Sequence, residues 1–140
     1  MAGLNDADYQ RLLEFRDGLR RFLRWSEEQA AAVGLTPAHH QLLLAVRGHP
    51  GPHAPTVSDV AGHLMLRRHS VVGLVNRAEA AGLLSRKADR SDQRVVRLSL
   101  TRLGARRLEL LSALHLEELH RLAPRMRQPW AGLDGGSPTD

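Results

Sequence analysis

Apolar residues recur at helical spacing over residues 6–33, where Leu12, Leu13, Phe15, Leu19, Phe22 and Leu23 share a face and Arg16, Arg20 and Arg24 stand four apart. The pattern predicts one long amphipathic helix ended by Gly34. Thr36-Pro37 offers a hydroxyl cap and a proline at the first helical position, so a second helix should run through the apolar stretch Leu42 to Val46 and stop before Gly48. Residues 49–55 read His-Pro-Gly-Pro-His-Ala-Pro, with four helix breakers in seven positions, and are expected to form a loop.

Two short helices in tandem come next. Ser58-Asp59 is expected to cap the first, through about Met65, and the second should run from Arg68 to Ala81, closed by Gly82. In that second helix Val71, Leu74, Val75 and Ala78 fall at i, i+3, i+4 and i+7, a buried stripe that leaves Arg68, Ser70, Val72, Gly73, Asn76 and Arg77 facing outward. Residues 83–88, the polar turn Asp89-Arg90-Ser91-Asp92 and residues 94–100 form a hairpin signal, with Val96, Leu98 and Leu100 on one face and Arg97 and Ser99 on the other. Thr101 caps a last long helix whose leucines, from Leu103 to Leu122, extend to Pro124.

The expected fold is mainly α, a winged helix-turn-helix between long N- and C-terminal helices. In domain language, residues 1–35 are an N-terminal dimerisation helix, 36–101 the winged helix-turn-helix region, 102–126 a C-terminal dimerisation helix and 127–140 a flexible tail, all within one compact domain. A homodimer follows because the apolar faces of the terminal helices exceed what the winged segment between them can cover.

Charge sharpens this picture. The net charge of +5 is unevenly spread: residues 60–107 carry eleven basic against three acidic side chains, whereas the flanking segments are slightly negative. Nineteen of the 20 basic residues are arginine, the side chain suited to bidentate phosphate and guanine contacts. Such segregation is expected of a nucleic-acid footprint held on a separate scaffold. The absence of cysteine excludes disulfides, thiolate nucleophiles and thiolate zinc sites. No apolar run reaches membrane-spanning length and the N-terminus lacks the basic and apolar regions of a secretory signal, so a cytoplasmic location without membrane attachment is expected.

A short helix, a turn, a second helix and a basic hairpin together suit duplex DNA, since the major groove admits one helix and a neighbouring hairpin can straddle the backbone and reach the minor groove. The runs Thr36-Pro-Ala-His-His-Gln-Leu-Leu-Leu44, Val57-Ser-Asp-Val-Ala-Gly-His-Leu64 and His69-Ser-Val-Val-Gly-Leu-Val-Asn-Arg-Ala-Glu-Ala-Ala-Gly-Leu83 resemble the multiple-antibiotic-resistance regulator (MarR) family. Its most specific part is the wing, Asp89-Arg-Ser-Asp-Gln-Arg94 followed by Leu98-Ser-Leu-Thr-Arg-Leu-Gly104. The resemblance implies an obligate dimer with intertwined terminal helices, a palindromic operator and, often, release by a small ligand. A further C-terminal helix, usual in the family, has little room beside Pro124 and Pro129.

The residues assigned to DNA are Arg67, Arg68, His69, Ser70, Val72, Gly73, Asn76 and Arg77 in and before the second helix, and Arg86, Lys87, Arg90, Arg94 and Arg97 in the wing. Arg77 is a base-edge reader, Arg90 a minor-groove arginine, and Arg86, Lys87 and Arg97 are phosphate partners. Asp89, Asp92 and Arg94 also shape the wing, where Asp92 and Arg94 can pair. Trp25 and His39 are the candidates for binding a small effector. No cofactor is implied. Of eight histidines only His49 and His53 stand four apart, in the proline-rich loop, so no metal site is assigned, and a zinc site using His115, Glu118 or His39 is the weaker alternative. The rival functions are an architectural DNA-binding protein and, further off, a small metal-dependent enzyme or metal sensor.

Overall fold

The computed structural model of the chain describes residues 3–127, with side chains as far as Pro124. The elements follow in the order α1 (Asp6–Ala32), α2 (Pro37–Gly48), α3 (Val57–Leu64), α4 (Arg68–Ala80), β1 (Leu84–Ala88), β2 (Val96–Leu100) and α5 (Arg102–Arg127). The sequence expectation of a flexible tail falls on residues outside those described.

Local chemistry explains where the helices begin. Asn5 and Asp8 cap α1 reciprocally, each backbone N–H donating to the other's side-chain oxygen at 3.0 and 3.1 Å. Thr36 Oγ1 accepts from His39 N at the start of α2. At α3 the expected cap is corrected: Thr56, not Ser58 or Asp59, is the N-cap. Thr56 Oγ1 accepts from Asp59 N at 3.2 Å while Asp59 Oδ2 accepts from Thr56 N at 2.9 Å, a complete capping box.

Three helices end by one device. Leu35 N donates to Ala30 O, Leu66 N to Ala61 O and Leu83 N to Ala78 O, each reaching back five residues across a left-handed or near-left-handed turn. Gly34 and Gly82 take up the positive φ at two of these ends, but at the third it is Met65, with φ 54° and a side chain 91% exposed. The turn between α3 and α4 therefore had no glycine to announce it.

The chain divides into two units, residues 1–28 with 113–140 and residues 29–112. The second holds the whole hydrophobic core found among the described residues, from Ala30 through Leu42, Val60, the α4 stripe Val71, Leu74, Val75 and Ala78, and Leu98 to Leu111. The antiparallel hairpin pairs Leu84 with Leu100 and Ala88 with Val96. Leu98 N also donates to Pro55 O at 2.8 Å, which fastens the 49–55 loop along β2. Leu98 is fully buried as expected of its strand face, whereas Val96, assigned to the same face, is 41% exposed because it lies at the outer end of β2, beyond the reach of the core.

At the entry to α5, Thr101 Oγ1 donates to Gly82 O at 2.6 Å and accepts from Gly104 N at 3.1 Å. Thr101 N donates to Leu83 O, and α5 crosses so close that a Cβ on Gly104 would stand 2.1 Å from that oxygen. The helix does not stop at Pro124 but continues to Arg127, so the proline forgoes one backbone bond without ending the helix.

The first unit is built differently. Its ring cluster places Trp25 5.0 Å from His115 and 5.9 Å from Phe22, and Ser26 Oγ lies 2.5 Å from His115 Nε2. Among its described residues no large apolar side chain is buried: Leu12, Leu13, Leu23 and Leu116 are each more than half exposed.

Candidate nucleic-acid interface

The stripe that buries Val71, Leu74, Val75 and Ala78 fixes the rotation of α4, so Arg68, His69, Ser70, Val72, Asn76 and Arg77 are necessarily exposed on the other side. Arg67, the N-cap residue, makes no side-chain capping bond and is exposed as well. Gly73 is half-buried, and the Arg77 guanidinium lies along it, with Nη1 3.4 Å from where a Cβ would stand. A Cβ at position 73 would touch the tip of Arg77 at ordinary van der Waals distance. The charge of Arg77 also acts on His39: burial first, then Arg77, hold that imidazole below its ordinary value, so His39 is neutral at physiological pH.

The hairpin is locked to this helix. Arg86 on β1 donates to Asn76 Oδ1 and lies 3.9 Å from Glu79 Oε2, so α4 and β1 are cross-linked by two side-chain contacts. That link engages two residues, Asn76 and Arg86, that were both assigned to DNA. Lys87, next on the strand, is exposed.

The wing turn is organised by its two aspartates. Asp89 Oδ2 accepts from Ser91 N at 2.9 Å and Asp92 N at 3.0 Å, while its Oδ1 accepts from Arg97 Nε at 3.1 Å. The Arg97 bond above all, then the Ser91 N–H, hold the Asp89 carboxyl below the usual carboxylate range. Asp92 is lowered chiefly by Arg94, whose guanidinium grips both its oxygens at 3.0 and 3.2 Å. Arg94 nonetheless remains 91% exposed. Arg90, in the turn these bonds hold, is exposed too.

Arg97 differs from the other wing arginines. Besides Asp89 it donates to Ala54 O at 3.1 Å, and its side chain is only 26% exposed, so it braces the wing against the 49–55 loop. The structure thus brings together Arg67, Arg68, His69, Ser70, Val72, Arg77, Lys87, Arg90 and Arg94 as an exposed set on α4 and the hairpin, with Asn76, Arg86 and Arg97 tying the parts to one another. Thr101, which helps seat the hairpin on α5, was read in the sequence as a helix cap, whereas Gly104 was visible only through the family motif.

Trp25 and His39 fall in different units of the chain. A cleft of about 360 Å³ lies elsewhere, between the end of α2, the 49–55 loop and β2, and includes Val46, Arg47, His49, Pro55 and Leu98. The atoms suggested for zinc are otherwise engaged, His115 with Ser26 and Glu118 with Arg121, and among the described residues no three His, Asp or Glu side chains are placed to hold a metal. Among the described residues no helix is long and apolar enough to cross a membrane.

Comparison with known proteins fits this arrangement. Residues 33–95, which span α2 to the wing turn, match the model of the MarR family. No curated protein sequence matches the chain. Among solved structures, the transcriptional repressor CouR bound to a 23-mer DNA duplex is similar at 26% identity, with 91% of this chain and 92% of that chain covered and a TM-score of 0.67. CouR from Rhodococcus jostii bound to p-coumaroyl-CoA is similar at 21% identity, 92% and 93% coverage and TM-score 0.66. A mutant of MepR from S. aureus bound to an oligodeoxyribonucleotide is similar at 20% identity, 87% and 91% coverage and TM-score 0.65. Residues 33–95 are therefore similar to the MarR family of transcription regulators, and the chain has the winged-helix fold of the solved structures it resembles.

Proposed function

We propose that this chain, a MarR family protein over residues 33–95 with the family's fold along most of its length, is a cytoplasmic, ligand-responsive repressor that binds a palindromic operator as a homodimer and catalyses no reaction. The observation that carries this reading is the exposed cationic and polar set on α4 and the hairpin, placed on a rigid core whose neighbouring segments lack its positive charge. In this reading α4 enters the major groove with Arg77 at a base edge, and Arg90 reaches the adjacent minor groove. Arg68, Lys87 and the exposed side of Arg94 neutralise phosphates, while Arg97 holds the wing's shape. Solved relatives bound to DNA and to an acyl-CoA support both partners, a duplex and a small effector.

The homodimer is supported by the first unit, whose exposed leucines on α1 and α5 need cover that the described chain does not supply. Two copies of α4 would then meet successive major grooves about 34 Å apart. Selection of bound fragments from the source genome, followed by footprinting, tests this. A palindrome preferred over random duplex by about 10³ or more is expected. Uniform affinity for all duplexes would indicate an architectural protein, and one unrepeated half-site would contradict the dimer.

A further inference from the structure

His49 caps the end of α2 and His63 lies in the last turn of α3, fourteen residues apart in the chain, yet His49 Nδ1 and His63 Nε2 are 3.0 Å from each other. Their ring centroids are 5.3 Å apart at an interplanar angle of 77°. That separation is the N···N distance plus the two ring radii, so the facing nitrogens point along one line. They do not converge on a third position where a cation could be shared, which makes this a hydrogen bond rather than half of a metal site. The other nitrogen of His49, Nε2, is 3.7 Å from Asp59 Oδ2. Asp59 stays ionised: the Thr56 backbone N–H, first, holds its carboxyl below the ordinary range, and His49 and Arg97 act in the same direction.

A bond between two imidazole nitrogens needs one proton and one lone pair. With both rings neutral, one donates and the other accepts. With one ring charged, the bond persists, and a charge on His49 faces the Asp59 carboxylate at 3.7 Å. With both rings charged, two N–H groups face each other and the bond is lost to repulsion. We infer that Asp59, His49 and His63 form a proton-controlled latch that joins the end of α2 to α3, closed while the histidine pair carries at most one extra proton and open when it carries two.

The charged and titratable groups around the latch are Asp59 and His63 on α3, Arg47 in the last turn of α2, His53 in the adjoining loop, and Arg97 on β2. The two arginines add positive charge and so oppose the doubly charged pair. Asp59 favours one charge on His49 and, being a single carboxylate already shared with the capping box, does not neutralise two. In the unfolded chain both histidines take up protons independently near the ordinary value of about 6.5. Two N–H groups are forced to face each other only in the folded chain, so the latch contributes at neutral pH and loses its contribution in acid. Because α2 and α3 both pack on α4, opening should also loosen the helix assigned to DNA, a consequence that rests on the proposed function, whereas the latch itself does not.

The test is urea unfolding of the full chain at pH 7.5 and 5.0, comparing the wild type with His63→Gln, whose amide can replace the bond without titrating. The expected result is a larger drop in midpoint for the wild type than for His63→Gln. Equal drops would overturn the latch. Should His63→Gln fail to fold, nitrogen-detected NMR of the wild type decides: a scalar coupling between His49 Nδ1 and His63 Nε2 at pH 7.5 that vanishes at pH 5.0 is expected, and its absence at pH 7.5 overturns the inference. Operator affinity at the two pH values is read separately, so that a failure of DNA binding is not mistaken for a failure of the latch.

Discussion

Gly104 shows how one missing side chain sets a larger geometry. With Leu83 O occupying the place of its Cβ at 2.1 Å, alanine there forces α5 away from the α4–β1 joint and strains the Thr101 bonds that seat it. Gly104→Ala should destabilise the protein by about 1–3 kcal/mol, as overpacked substitutions do. A urea midpoint unchanged from the wild type would contradict this contact. Residues of this kind were only partly legible. Thr56 and Asp59 stand three apart, the spacing of a capping box, so the true cap of α3 was present in the sequence, but Ser58 offered a competing hydroxyl and only the backbone decides between them. The His49–His63 contact had no sequence signal, since it depends on where two helix ends meet.

The wing hairpin is the element most dependent on side-chain bonds. Its turn is held by Asp89, whose contribution is best read from pH dependence. The folded carboxyl is held below its ordinary value, chiefly by Arg97, so the stability it supplies is complete above the unfolded value of about 3.9 and is lost as pH falls through and below it. Asp89→Asn should therefore lose less stability than the wild type between pH 5 and pH 3, and parallel curves would show that the Asp89–Arg97 bond contributes nothing. Elements were the most legible level. Helical periodicity together with caps and helix breakers located all five helices, and the α4 stripe was buried residue for residue. Alternation located the hairpin but misjudged Val96, because alternation gives the face of a strand and not how far along it the core extends. Arg97 looked like an outward phosphate partner for a related reason: its strand face was right, while its partners, Asp89 and Ala54 O, come from a turn and a distant loop.

At the scale of the whole molecule two asymmetries carry the account. Among the described residues the buried apolar side chains lie within residues 29–112, and Leu12, Leu13, Leu23 and Leu116 of the first unit are more than half exposed, which is the basis for proposing a second copy. The net excess of positive charge likewise lies in residues 60–107, within the segment that matches the MarR family model and just beyond it. Both asymmetries could be read from the sequence. In the proposed function α4 and the wing read DNA in different ways, which is tested by the affinity of Arg77→Ala and Arg90→Ala for the selected operator and for random duplex at matched salt. Arg77→Ala should lose about 1–3 kcal/mol on the operator, roughly tenfold to a hundredfold, with less loss on random sequence and relaxed choice at one symmetric position. Arg90→Ala should weaken binding with a dependence on A·T-rich flanks. Wild-type affinity and specificity in both variants, in folded and dimeric protein, would contradict the account.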